Sequence, residues 1–155
     1  QHRSFDDETG LPNAAYLERR IDEEIARAGG RAGAFAVLVC GIEGLADLAR
    51  DGAPGLAARV VQRLAEALRA RLRDFDVVAR LDDDSFGVLL PEPGPDVDEH
   101  IATLARHVAE DVRKDERLAE LVRLALRFGH AVHGFGADRR DALIARAREP
   151  RIRTV

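Results

Sequence analysis

The sequence predicts an α+β fold, a central sheet with helices packed on it, and three observations carry that expectation. Phe35 to Cys40 is an unbroken apolar run, the mark of a strand covered on both faces. Leu56, Val60, Leu64, Leu68 and Leu72 recur every four residues, with Arg59, Arg63, Arg69 and Arg73 off that stripe, which describes an amphipathic helix. Two short runs rich in Val and Leu, Asp76 to Leu81 and Ser85 to Leu90, flank three consecutive aspartates and read as a hairpin.

The remaining elements follow in order. Thr9-Gly-Leu-Pro-Asn13 is a turn, and Asn13 is placed to cap a helix carrying Ala14, Leu17, Ile21 and Ile25 on one side. Gly29-Gly30 ends it. A short helix is expected from about Glu43 to Arg50, broken by Asp51-Gly-Ala-Pro54. After the hairpin, Pro91-Glu-Pro-Gly-Pro95 is a breaker. A helix is expected over Val97 to Lys114, with Ile101, Leu104, Ala105, Val108 and Val112 inward. Leu121 to His133 reads as a strand or strand pair interrupted at Gly129, and Asp141 to Arg148 as a final short helix before Glu149-Pro150.

Composition narrows the function. The 155 residues suit one compact domain, residues 1–155, and the start QHRSFDDETG suggests a piece of a longer multidomain protein. Hydrophobic residues make up 46% and charged residues 34%, a globular balance. A net charge of −4 argues against a general nucleic-acid binder, whose affinity comes from neutralising phosphates. Lys114 is the only lysine; an arginine bias suits phosphates and guanine edges, but a GC-rich genome produces it too, and that is the reading adopted. The one cysteine, Cys40, sits in an apolar run and allows no internal disulfide, which fits a cytoplasmic setting; no apolar run is long enough to span a membrane.

Four segments then carry a family resemblance. Asp7-Glu-Thr-Gly-Leu-Pro-Asn13 resembles the D-x-LTGLPN motif of GGDEF domains, the diguanylate cyclases. Ala79 to Pro91, ARLDDDSFGVLLP, stands where they carry ARLGGDEFxxLLP. Phe35 to Leu45 resembles their first strand and the turn after it, and Phe128-Gly-His-Ala131 resembles their late strand SIGxA. The resemblance spans about residues 7 to 148 and implies the palm-like, mostly antiparallel sheet of nucleotidyl cyclases.

It also implies that the chemistry is gone. The family's two tip glycines, which let backbone approach GTP phosphates, are Asp82 and Asp83 here, adding bulk and negative charge. Of the two metal-ligand positions, one is Gly41 and the other is retained as Asp84; the glutamate after it has become Ser85. The phosphate-binding lysine aligns with Ala46, and the guanine contacts with Ala49 and Ala58. Phosphoryl transfer needs a divalent cation on the phosphates, so no catalytic residue, metal site or cofactor is expected, and the chain is read as a degenerate cyclase domain.

One site remains. The family's R-x-x-D motif, which binds the product cyclic di-GMP as an inhibitor, ends five residues before the hairpin motif. R-x-x-D starts at Arg3, Arg71, Arg73 and Arg80, among other places, but Arg73-Asp-Phe-Asp76 has the family offset, with Val77 to Leu81 before Asp82. Arginine can fork onto a guanine edge or a phosphate, and aspartate can accept from guanine N–H groups. Arg73, Asp76 and, from the helix after the hairpin, Arg106 are therefore the candidate ligand-binding residues. The leading expectation is a cyclic di-GMP receptor, holding the ligand as an intercalated dimer and acting on a neighbouring domain, a partner protein or a second copy in a homodimer. The alternative is a ligand-independent scaffolding module. His130 and His133 are read as strand-packing or surface residues, and His100 and His107 as lying on the solvated side of their helix.

Overall fold

The computed structural model describes residues 4–51, 54–121, 125–135 and 138–154. A five-stranded sheet runs in the order β2-β3-β1-β4-β5, and every neighbouring pair is antiparallel. Its strands are β1 (Ala36–Glu43), β2 (Val77–Asp82), β3 (Ser85–Leu90), β4 (Ala125–Val132) and β5 (Ile152–Thr154). The helices are α1 (Ala14–Ala28), α2 (Leu45–Arg50), α3 (Pro54–Arg71), α4 (Val97–Arg113), α5 (Glu116–Leu121) and α6 (Arg140–Ala147).

The central strand explains the unbroken apolar run. Side chains alternate along a strand, so Ala36, Leu38, Cys40 and Ile42 enter the core under α3 and α4, while Val37 and Val39 enter a second core under α1 and α6. Leu64 and Leu68 of the four-residue repeat are fully buried. Asn13 caps α1, accepting from the Tyr16 amide at 3.0 Å, and Gly29 ends that helix at φ +59°. Burial pushes the Cys40 thiol well above its ordinary range, as befits a small core hydrophobe.

Four expectations are corrected. β4 is one strand, not an interrupted pair: it runs through Gly129 without a break. The glycine is there because a Cβ would lie 2.3 Å from the Ala147 carbonyl and 2.2 Å from that of Glu149, where the end of α6 rests on the strand. Leu121 belongs to the unanticipated α5 rather than to β4, and residues 122–124 of that segment lie outside the described residues, as do Gly52 and Ala53 of the earlier breaker. The chain also adds β5 after Pro150 instead of ending at α6. Finally, His100 is half-buried, its Nδ1 2.9 Å from the Pro93 carbonyl, rather than fully solvated.

No described helix is long and apolar enough to cross a membrane.

Candidate functional site

Arg73 and Asp76 meet where α3 gives way to β2. The chain turns tightly, with the Asp76 amide donating to the Arg73 carbonyl at 3.0 Å. The Asp76 carboxylate accepts from the Arg73 amide at 2.8 Å, from Nε at 3.1 Å and from Nη2 at 3.0 Å. The Arg73 guanidinium also lies 4.5 Å above the Phe75 ring, a stacking arrangement that suits a planar cation. The Asp76 side chain is 1% exposed and that of Arg73 is 39% exposed. In this arrangement Asp76 holds Arg73 from a buried position, and both residues line a cleft of about 530 Å³.

That cleft brings together more than the sequence suggested. Arg20 of α1, Arg69 of α3, Tyr16 and Phe75 line it along with Arg73 and Asp76. Arg69 lies in the last turn of α3, two residues before the helix ends and four before Arg73, so its nearness in sequence is visible. Arg20, which also donates to Glu23 at 3.0 Å, arrives only because α1 docks beside β2, and no local pattern announces that. Arg106 is exposed on α4 and does not line this cleft.

The acidic hairpin tip is a solvated turn braced by arginine. Its two turn residues, Asp83 and Asp84, are exposed, and no non-glycine residue among those described has a positive φ. Leu81 is left unpaired where the register shifts between Arg80 and Asp82. Arg80 fastens the tip from below: Nε donates to the Asp82 carbonyl at 2.8 Å, Nη2 to that of Asp83 at 2.6 Å, and Nη1 to Glu8 at 2.8 Å. Asp82 accepts from Arg148 at 2.6 Å and from Ser85 at 2.9 Å. Burial raises its pKa, but the hydrogen bonds from Arg148 and Ser85 outweigh that and hold the carboxyl below the ordinary aspartate value.

Under the tip lies a second cleft of about 780 Å³, and most of the substituted positions, though not Gly41 or Ser85, meet in it. Ala46, Ala49 and Ala58, where the resemblance expects a phosphate-binding lysine and two guanine contacts, all line it, facing Asp82, Asp83 and Asp84. Arg80, the one cation among the described residues that line it, is committed to the tip and to Glu8.

The divalent cation that the resemblance implies would lie between position 41 and Asp84. The residues present do not fit it. Gly41 supplies no donor, and a Cβ built there would stand 3.6 Å from Nη2 of Arg127, its cross-strand partner on β4. A guanidinium thus fronts the ligand position. No group of three or more His, Cys, Asp or Glu side chains among the described residues is arranged to hold a metal ion. His130, which is buried, pairs through Nε2 with Asp98 at 2.9 Å, and His133 stacks on Phe35 at 4.8 Å. Both are packing residues, as expected.

Comparison with known proteins gives the family and the fold. The family described as "Diguanylate cyclase, GGDEF domain" matches residues 3–150. The chain is 30% identical over 141 residues to the bifunctional diguanylate cyclase/cyclic di-GMP phosphodiesterase MucR of Pseudomonas aeruginosa, covering 90% of this chain and 20% of that protein. It is 36% identical over 83 residues to the diguanylate cyclase DgcP of the same organism, covering 54% of this chain and 12% of that protein. The chain therefore spans well under a quarter of either relative. The GGDEF domain of P. aeruginosa PA1120, also called YfiN or TpbB, superposes with a TM-score of 0.77 at 27% identity, covering 92% of this chain and 83% of that one. The GGDEF domain of Caulobacter crescentus DgcB, solved in complex with c-di-GMP, superposes with a TM-score of 0.71 at 16% identity, covering 95% and 86%.

Proposed function

We propose that this chain, which belongs to the diguanylate cyclase family of GGDEF domains, is a catalytically inactive member that serves as a cyclic di-GMP receptor. The observation that carries this reading is the contrast between two clefts. Carboxylates and alanines collect under the hairpin, where a triphosphate would need cations and a metal. The guanidinium groups of Arg20 and Arg69 and two aromatic rings collect around that of Arg73. Guanine bases stack on aromatic and guanidinium planes, and phosphodiesters accept from arginine forks. The fold holds the same ligand in the C. crescentus domain named above.

Within the cleft, Arg73 meets the ligand and Asp76 fixes the direction of its guanidinium. Arg69 and Arg20 add charge, and Phe75 and Tyr16 add stacking surface. An intercalated dimer of the ligand presents four guanines and four phosphates, which matches a cleft with several arginines better than one base would. Signalling follows only if a neighbouring domain or a second copy has two arrangements that the ligand distinguishes.

Calorimetry tests the reading. Cyclic di-GMP titrated into the chain gives saturable heat, and Arg73→Ala weakens binding at least tenfold. No heat at several hundred micromolar ligand overturns the receptor role. One observation favours a second reading, a ligand-independent scaffold: the Arg73 fork is already engaged by Asp76 and Phe75. A partner bound equally well by the chain and by Arg73→Ala, with no response to the ligand, is the outcome that selects it.

A further inference from the structure

Behind the hairpin tip, separate from the Arg73 cleft, lies a cavity of about 270 Å³ lined by Gly41, Asp84, Ser85, Arg127, Gly129 and Arg148, among others. Its chemistry is inverted relative to a metal site: two guanidinium groups face one carboxylate. Arg127 is the telling residue. Its Nε is buried with no hydrogen-bond partner among the described residues. The nearest carboxylate, Glu43, is 4.0 Å away, beyond hydrogen-bond reach, because Glu43 is held by Arg153 at 2.6 Å. Burying a charged donor atom without an acceptor is costly even where the rest of its side chain, here 41% exposed, reaches solvent, and such an atom in a native structure points to an ion, water or ligand that completes it. Arg148 stands across the cavity, bound to Asp82 through Nη1. Gly41 keeps the floor open, since any side chain there would advance on Arg127.

We infer that this cavity is an anion site that takes hydrogenphosphate on Arg127 and Arg148 without a divalent cation. Arginine forks bind phosphate oxygens through paired N–H donors. Asp84 decides which oxyanion fits. A phosphate that keeps one proton near neutral pH can donate it to the Asp84 carboxylate, whereas sulfate has no proton to donate and meets only repulsion. The site is thus the charge-reversed counterpart of the one the resemblance implies: a fixed guanidinium replaces the cation, and the anion is bound directly.

Titration of inorganic phosphate in EDTA, followed by calorimetry and phosphorus NMR line width, tests the inference. Phosphate binds saturably, sulfate binds at least tenfold more weakly, and Asp84→Asn removes that preference. Arg127→Gln weakens phosphate at least tenfold. Arg73→Ala leaves it unchanged, which separates this site from the cyclic di-GMP cleft. Should Arg127→Gln not fold, Gly41→Val, which fills the space before the guanidinium, must give the same loss. The inference is overturned if phosphate does not bind at 10 mM, binds only with Mg²⁺, binds no better than sulfate, or binds as well after Arg127 or Gly41 is changed.

Discussion

Arg71 and Asp111 form a two-pronged ion pair across the interface of α3 and α4, with Nε donating to Oδ2 at 2.8 Å and Nη2 to Oδ1 at 2.9 Å. Arg63 adds a third donor, its Nη2 reaching the Asp111 carbonyl at 3.1 Å. The hydrogen bonds from Arg71 hold the Asp111 carboxyl below an ordinary aspartate's 3.8, against the opposing effect of burial. A carboxylate whose folded pKa is lowered contributes stability above its unfolded pKa and loses it as pH falls through the folded value. Asp111→Asn therefore lowers stability at pH 7, and the gap between the two proteins narrows on acidification below about pH 4. Urea unfolding at several pH values measures the gap; a gap that stays constant down to pH 3 would remove the electrostatic account.

Gly129 makes the opposite kind of contact, one defined by what cannot be there. With the Ala147 and Glu149 carbonyls 2.3 and 2.2 Å from a Cβ position, the end of α6 can rest on β4 only over a glycine. Backbone, unlike a flexible side chain, cannot step aside. Gly129→Ala costs about 3 kcal/mol. Gly30→Ala, in open space at the end of α1, changes stability by less than about 0.5 kcal/mol. Denaturant midpoints of the two variants decide it, and equal effects would mean that α6 is free to shift.

These two sites show which parts of the fold are legible in sequence. The strand β1, the helix α3 and the hairpin announce themselves because each needs a pattern that runs for several residues: alternating burial on two faces, a four-residue stripe, paired apolar runs. Gly129 looks like a strand breaker because the element that requires it lies eighteen residues on and packs from outside the sheet. α5 and β5 are six and three residues long, too short for either period to repeat convincingly. The site divides the same way. Arg73 and Asp76 are local to one turn and can be read directly, whereas the inward engagement of Asp76 by Arg73 depends on side-chain geometry. Arg20 and Arg127 are placed by helix docking and strand register, which single residues do not reveal.

The difference between Arg69 and Arg106 turns that lesson into a test of the receptor reading. Arg69 lines the Arg73 cleft and Arg106 does not. Arg69→Ala weakens cyclic di-GMP binding about three- to tenfold, the scale of one partly solvated charge contact. Arg106→Ala leaves binding in a single subunit unchanged. Parallel titrations of the two variants check this, and the reverse pattern would place the ligand across α4, or between two subunits, instead.

The hairpin offers the strictest test of inactivity, because its losses are coupled through space. Restoring Asp82→Gly, Asp83→Gly and Ser85→Glu removes negative charge from the tip and also removes the acceptor that Arg148 holds at 2.6 Å. That change alone gives no GTP turnover, since Ala46, Ala49 and Ala58 still line the cleft without a donor for phosphate or guanine. Adding Gly41→Asp does not suffice either. The new carboxylate would project toward Nη2 of Arg127, 3.6 Å from its Cβ, and pair with the guanidinium before it could hold a cation. Turnover with Mg²⁺ or Mn²⁺ is expected only when Arg127→Ser, Ala46→Lys, Ala49→Asn and Ala58→Asp are combined with those changes. Product formation by the unaltered chain, followed by chromatography of a GTP reaction, would refute the proposal of inactivity outright, and turnover by the tip reversion with Gly41→Asp but with Arg127 unchanged would show that Arg127 does not guard position 41.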